Sequence, residues 1–270
     1  NWNASSLTLK HLARETTMSQ LDKARDFVDL HISGKPLILY NIWDAGSANI
    51  IAKAGAQAIA TGSLSVAAAQ GFADGENIPL EFLLQIIRRI AVTVDLPLSV
   101  DFEGCFAVEP VDVGANVAHV INAGAIGINF EDQIVGGSGL YPENEQCLRL
   151  EAARGAAKQA GVPLFINART DLFLKETDQD KHKDLIPEAK ARAAAYQDAG
   201  ASGFFVPGLV QPELIAEICD QVTMPVNVMM RGGAPDMKTL ASLGVARISF
   251  GPGPYFKAMD ELAQRYRAID

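Results

Sequence analysis

The stretch Pro36-Leu37-Ile38-Leu39-Tyr40-Asn41-Ile42-Trp43-Asp44-Ala45-Gly46-Ser47 decides the fold class. Its first five residues read as a short buried strand. An open, doubly wound sheet would place a glycine-rich phosphate fingerprint directly after its first strand. Asn41 to Ser47 is no such fingerprint, which leaves the other large parallel architecture, a closed barrel. Comparable apolar runs recur at 58–61, 97–101, 126–131, 164–169, 203–206, 226–229 and 247–250. Several are almost uninterrupted in apolar residues, as parallel strands covered on both faces are.

Helical stretches separate the runs. Residues 80–94 place Leu83, Leu84, Ile86, Ile87 and Ile90 along one side, and the Ala-rich stretches 144–160 and 187–199 each stop at Ala-Gly. Glycine just past a helix takes the left-handed conformation of a helix stop, and the same punctuation returns at Gly55, Gly124 and Gly244. Eight strands alternating with eight helices predict a (β/α)₈ barrel. The chain's 270 residues suit that architecture, which typically takes about 250. We read residues 18–270 as a single barrel domain, with 1–17 an extension or a cloning remnant and Met18 a possible native start.

Composition narrows the partners. Hydrophobic residues make up 49% and charged residues 20%, enough for a large core. The formal charge of -9, with no Lys/Arg run, argues against nucleic acid or anionic lipid as partner. No apolar stretch approaches the roughly 20 residues of a membrane span. Cys105, Cys147 and Cys219 lie far apart without CxxC spacing, which suits reduced thiols and a cytoplasmic location.

In such barrels the chemistry sits where strands end and βα loops begin. The third strand runs into Asp101-Phe102-Glu103, the fourth into Asn129-Phe130-Glu131-Asp132-Gln133, and the fifth into Asn167-Ala168-Arg169-Thr170-Asp171. Strand alternation predicts that Asp101 and Glu103 point the same way. With Glu131 they would make an acidic bowl for a hard divalent cation, which takes oxygen ligands. Arg169 would grip a substrate carboxylate with its fork. The competing account of each charge is a salt bridge at the rim.

Gly62 and Ser63 at the second strand-to-helix junction would offer N–H groups to an anion, or form a plain turn. Asp74 sits in a Gly-flanked loop, poised over the mouth or simply a turn residue. His11, His31, His119 and His182 all miss the strand ends, so a histidine-based site is not expected. Cys105 reads as a small residue filling a tight turn. No GxSxG, HExxH or Walker loop occurs.

Together, Gly71-Phe-Ala-Asp-Gly-Glu, Asp101-Phe-Glu, Gly127-Ile-Asn-Phe-Glu-Asp-Gln and Asn167-Ala-Arg-Thr-Asp resemble the isocitrate lyase/phosphoenolpyruvate mutase superfamily, from about residue 20 to 262. The resemblance implies a (β/α)₈ barrel that uses Mg²⁺, with Mn²⁺ as a substitute, to bind a small 2-oxo or 2-hydroxy carboxylate and stabilise an enolate-like species. It implies a homodimer or homotetramer with the last helix exchanged between subunits. Asp101 corresponds to the direct metal ligand, and Glu103, Glu131 and Asp74 to acids holding the metal mostly through its waters. Gly62, Ser63 and Leu64 correspond to the loop that binds the carboxylate, with the usual Ser-Gly order reversed, and Arg169 to the carboxylate-binding arginine. Asp74, Arg169 and Glu131 are the expected catalytic residues.

The reaction-specific parts depart from the family. Isocitrate and methylisocitrate lyases carry Lys-Cys-Gly-His on the loop after strand four, and phosphoenolpyruvate mutases carry Lys-Thr-Asn-Ser. Here the loop reads Ile134-Val-Gly-Gly-Ser-Gly-Leu-Tyr-Pro142. Where the mutases have a histidine after strand six, this chain has Val206-Pro207-Gly208. The first expectation is therefore a Mg²⁺-dependent C–C lyase or decarboxylase. Phosphonate chemistry and a non-catalytic 2-oxo acid binder are the alternatives. Tyr141, Ser138 and a metal-bound water are candidate proton donors.

Overall fold

The structure, a computed structural model, describes residues 18–269. The stretch 1–17 lies outside the described residues. Strands β1 (Leu37–Leu39), β2 (Ile59–Ala60), β3 (Leu98–Asp101), β4 (Gly127–Glu131), β5 (Phe165–Arg169), β6 (Gly203–Phe205), β7 (Val226–Met229) and β8 (Arg247–Ser249) form one sheet in the order β1-β8-β7-β6-β5-β4-β3-β2. Every pairing is parallel. The remaining seam, between β1 and β2, is bridged just past the strand ends. There the Ile42 N–H donates to the Ala60 carbonyl at 2.8 Å, and the Gly62 N–H donates to the Ile42 carbonyl at 3.2 Å. The sheet thus closes into a (β/α)₈ barrel.

The helices are α1 (Gln20–Asp29), α2 (Ala45–Lys53), α3 (Ser63–Ala69), α4 (Leu80–Thr93), α5 (Pro110–Asn122), α6 (Glu143–Ala160), α7 (Leu172–Lys175), α8 (His182–Asp198), α9 (Pro212–Gln221), α10 (Met237–Ser242) and α11 (Gly253–Arg267). Eight of them follow the eight strands as expected. The short α3 and α7 lie in the βα loops, and α1 precedes the first strand. Helix α8 begins five residues before the expected Pro187. That proline leaves the carbonyl of exposed Lys183 without its helical donor, and water can take its place. None of the described helices is long and apolar enough to cross a membrane.

The opening stretch explains itself in three dimensions. Asp44 and Ser47 form a reciprocal capping box: the Asp44 carboxylate accepts from Ser47 N–H at 2.7 Å, and the Ser47 hydroxyl accepts from Asp44 N–H at 3.1 Å. This caps the start of α2 with side chains of the chain itself, five residues after β1 ends.

Alternation sorts the strand residues into two layers. Val100, Ile128, Phe130, Ile166, Ala168, Val228 and Ile248 face outward and share one core with the helices. A second, smaller core of Leu37, Leu39, Ala60 and Phe165 lies inside, closed by Ala24 and Phe27 of α1. Phe27 is fully buried and plugs the N-terminal end of the barrel. Above this plug the interior turns polar, with Ser99, Asn129, Asn167, Asn227, Arg247 and Ser249 all buried. That polar layer carries the site.

Candidate active site

The C-terminal mouth of the barrel holds a cavity of about 170 Å³. Gly62, Ser63 and Leu64 border it from the start of α3, Asp74 from the following loop, Asp101 from β3 and Arg169 from β5. Six residues named from sequence thus meet in one place. Asn41, Asn129, Phe205, Met229 and Ser249 complete much of the wall.

Asp101 is held on both oxygens. Its Oδ2 accepts the Ser63 N–H at 3.0 Å and its Oδ1 accepts from Asn129 Nδ2 at 3.1 Å. Its own N–H donates to Thr61 Oγ1 at 2.9 Å, locking β3 against the end of β2. A carboxylate acceptor has about four lone-pair sites, so both oxygens keep capacity toward the cavity. The Ser63 N–H is committed to Asp101. Leu64 lies in the first turn of α3, where N–H groups have no intrahelical acceptor.

Glu103 and Glu131 stand behind the wall. Strand β3 ends at Asp101, and Glu103 sits in a turn with a left-handed φ of 50°. The turn, not strand alternation, directs its side chain. The Glu103 carboxylate accepts the Glu76 N–H at 2.9 Å and is 5% exposed. Burial, then the charges of Asp74, Asp101 and Glu131, push it up to about 9. Glu131 lies 2.9 Å from Arg169 Nη1, so the rim salt bridge weighed from sequence is present at this pair. Burial, then the charge of Asp101, raises Asp74 as well.

Arg169 is organised for a carboxylate. Its Nε and Nη2 form a fork with Asp171, at 2.6 and 2.9 Å. Burial works against its charge, but Glu131, Asp171 and Asp101 hold it firmly cationic. A guanidinium has five N–H donors, so one on each Nη remains for a ligand. The Phe205 ring lies 6.0 Å beneath it.

A divalent cation fits this donor set. Among the described residues no three His, Cys, Asp or Glu side chains form a ready-made cage. Mg²⁺ does not require one, because it commonly uses one or two carboxylates and keeps several waters. Asp101 offers its free lone pairs on the cavity wall and Asp74 faces the same space, while burial raises both Glu103 and Glu131 behind them, so these two carboxyls would give up their protons to a bound cation.

The other expectations sort cleanly. Cys105 is fully buried with φ 65°, filling a tight turn, and burial pushes its thiol well up. His31, His119 and His182 lie away from the cavity wall. Tyr141 is buried under the Arg149 guanidinium, 4.0 Å from its ring, and borders a separate cavity. Ser138 is exposed in the Gly-rich loop, so neither of these two candidate donors borders the main cavity.

Sequence reasoning passed over the amides. Asn41 ties the mouth together: its Nδ2 donates to the Thr61 carbonyl at 2.7 Å, and its Oδ1 accepts from Phe250 N–H at 2.8 Å and Gly251 N–H at 3.0 Å. Its one signal was its place at a strand end.

Comparison with known proteins places the chain. Residues 27–270 match the family model for phosphoenolpyruvate phosphomutase. A crystal structure from Burkholderia cenocepacia, of a protein assigned to the phosphonomutases, is 46% identical and has a TM-score of 0.90; the match covers 92% of this chain and 99% of that one. The 2-methylisocitrate lyase of Escherichia coli is 30% identical over 85% of this chain and 78% of its own length. The oxaloacetate decarboxylase of Pseudomonas fluorescens is 28% identical over 84% and 78% respectively. The polar barrel mouth and these matches lead to one assignment: the chain belongs to the phosphoenolpyruvate phosphomutase family, within the isocitrate lyase/phosphoenolpyruvate mutase superfamily of enzymes.

Proposed function

We propose that this enzyme is a Mg²⁺-dependent lyase or decarboxylase that breaks a C–C bond next to the 2-oxo or 2-hydroxy group of a small di- or tricarboxylate. The observation that carries the reading is the convergence of Asp101, Asp74, Arg169 and the 62–64 turn on one cavity of about 170 Å³. Cavities for drug-sized ligands are about 300–1,000 Å³, so the space suits a small acid. The similarity to a methylisocitrate lyase and an oxaloacetate decarboxylase supports the same class.

Asp101 anchors the cation on the wall, with Mn²⁺ an acceptable replacement. When bound, the cation supplies a Lewis acid at the 2-oxo group, where charge develops as the bond breaks. Arg169 uses its remaining Nη donors to orient the substrate carboxylate, and Leu64 N–H contributes from the start of α3. In the decarboxylation case the bonding pair of the departing CO₂ stays on the substrate as an enolate, whose carbon then takes a proton. Asp74 borders the same cavity, which makes its carboxyl the group placed to deliver that proton.

A second reading, phosphonate chemistry, is favoured by the 46% identity to the Burkholderia protein. Val206-Pro207-Gly208 and the Gly-rich 134–142 loop weigh against it, because neither offers a group to guide a phosphoryl transfer. Proton and ³¹P NMR separate the two. Mg²⁺-dependent conversion of oxaloacetate or methylisocitrate is expected, with phosphonopyruvate unchanged. Conversion of phosphonopyruvate alone would replace the lyase reading with the second.

A further inference from the structure

Beneath the cavity, inside the barrel, Arg247 of β8 is 1% exposed. Its one bonded partner among the described residues is an amide: Nη2 donates to Asn129 Oδ1 at 3.1 Å, while Nε and Nη1 are buried without acceptors. Burial works against its charge, and Asp101 is the carboxylate that supports it. A buried cation with unused donors is costly, and besides Asn129 the guanidinium meets, among the described residues, only the Phe27 ring, 5.9 Å from its centre.

The chemistry of these groups fixes a direction. A guanidinium has donors only, so Asn129 must turn its oxygen toward Arg247. Asn167 Nδ2 donates to the same oxygen at 2.9 Å. The Asn129 NH₂ is thereby forced upward, onto Asp101 Oδ1. A flipped amide would set donor against donor below and oxygen against carboxylate above. Together with the Ser63 N–H on Oδ2, this relay sets the plane of the Asp101 carboxylate.

We propose that Arg247 is a positioning residue: by fixing the Asn129 amide it holds Asp101, from beneath, in the orientation that receives a divalent cation. The proposal rests on the metal–carboxylate reading above. It also has a sign of its own. A guanidinium acting only as a neighbouring positive charge would repel the cation, so removing it would tighten binding. As a positioning residue, its removal loosens binding. Partners that orient metal ligands typically contribute 10- to 100-fold in affinity.

The test titrates Mn²⁺ into the full chain, read by calorimetry and by the loss of the free Mn²⁺ paramagnetic resonance signal. Arg247→Met, which removes the donors and keeps the length, is expected to weaken Mn²⁺ binding about tenfold. Arg247→Lys, which keeps a donor, is expected to stay within about threefold of wild type. In an Asn129→Ala background Arg247→Met is expected to change affinity by less than about twofold, because the relay is already cut. Arg247→Gln is polar but too short to span the gap, and it replaces the Met variant if circular dichroism shows the latter unfolded. Unchanged or tighter binding in the truncated variants overturns the inference, as does an equal loss in the Asn129→Ala background. Wild-type protein that takes up no Mn²⁺ overturns the metal reading itself.

Discussion

His31 gives the account a quantitative test away from the site. It lies at the closed end of the barrel, stacked on Phe165 with ring centroids 4.0 Å apart, and its Nδ1 donates to the Phe27 carbonyl at 2.7 Å. Its Nε2 is buried without a partner. Burial, reinforced by the positive charge of Arg247, lowers its pKa from 6.5 to about 3. An unfolded chain protonates this ring below pH 6.5, whereas the native barrel refuses the proton until about pH 3. The native state therefore loses stability as pH falls through this window, by about 1.4 kcal/mol per pH unit. Between pH 7 and pH 4.5 the loss from this one group is about 2 to 3 kcal/mol. His31→Phe keeps the stacked ring and removes the titration. Urea unfolding at pH 7, 5.5 and 4.5 should show both proteins weakening in acid, with wild type losing about 2 to 3 kcal/mol more. Carboxylates common to both proteins cancel in that difference. Parallel losses would refute the claim that His31 is held neutral, and with it the picture of a dry, positively charged barrel floor.

Other consequences can be measured independently. Phe27→Ala empties the plug between α1 and the strands and should cost about 3 to 5 kcal/mol in urea unfolding; a cost below 1 kcal/mol would mean that α1 does not seal the barrel. Asp101→Ala should abolish Mg²⁺-dependent binding of a 2-oxo acid, while Arg169→Ala should weaken acid binding and leave Mn²⁺ uptake intact; calorimetry showing both variants at wild-type affinity would sink the site assignment. We also propose that the apolar face of α11 is covered by a second subunit. Phe256, Leu262 and Tyr266 there are 48, 62 and 76% exposed. Light scattering should show a dimer or tetramer for wild type and a smaller species for Leu262→Glu, and an unchanged mass would contradict this.

What could be read in the sequence follows from where the physics is local. Parallel strands are buried on both faces, so 126–131 and 164–169 stand out as apolar runs, and the charges that end them mark the mouth. The Ala-Gly helix stops are local as well. The interior of the barrel is not. Asn129 and Asn167 interrupt the apolar runs of β4 and β5 and Arg247 opens β8, and only closure of the sheet shows that the three meet. The backbone that carries Glu103 was not legible for a related reason. Alternation applies only while a strand continues, and the chain leaves β3 at Asp101 through left-handed Glu103, Cys105 and Phe106. Residues other than glycine seldom adopt that conformation, and they give no sequence signal when they do.

The central claim is that the barrel mouth binds a small 2-oxo acid together with a divalent cation. The most direct measurement is a thermal melt with oxaloacetate, pyruvate or methylisocitrate, in Mg²⁺ and in EDTA. Ligand at 100 times its Kd stabilises a native state by about 2.7 kcal/mol, which for a chain of this size is a rise of several degrees. The account predicts that rise for at least one acid in Mg²⁺ and its disappearance in EDTA. Melting curves that none of the acids moves in either condition would contradict it, leaving the acids and Arg169 as a salt-bridged rim.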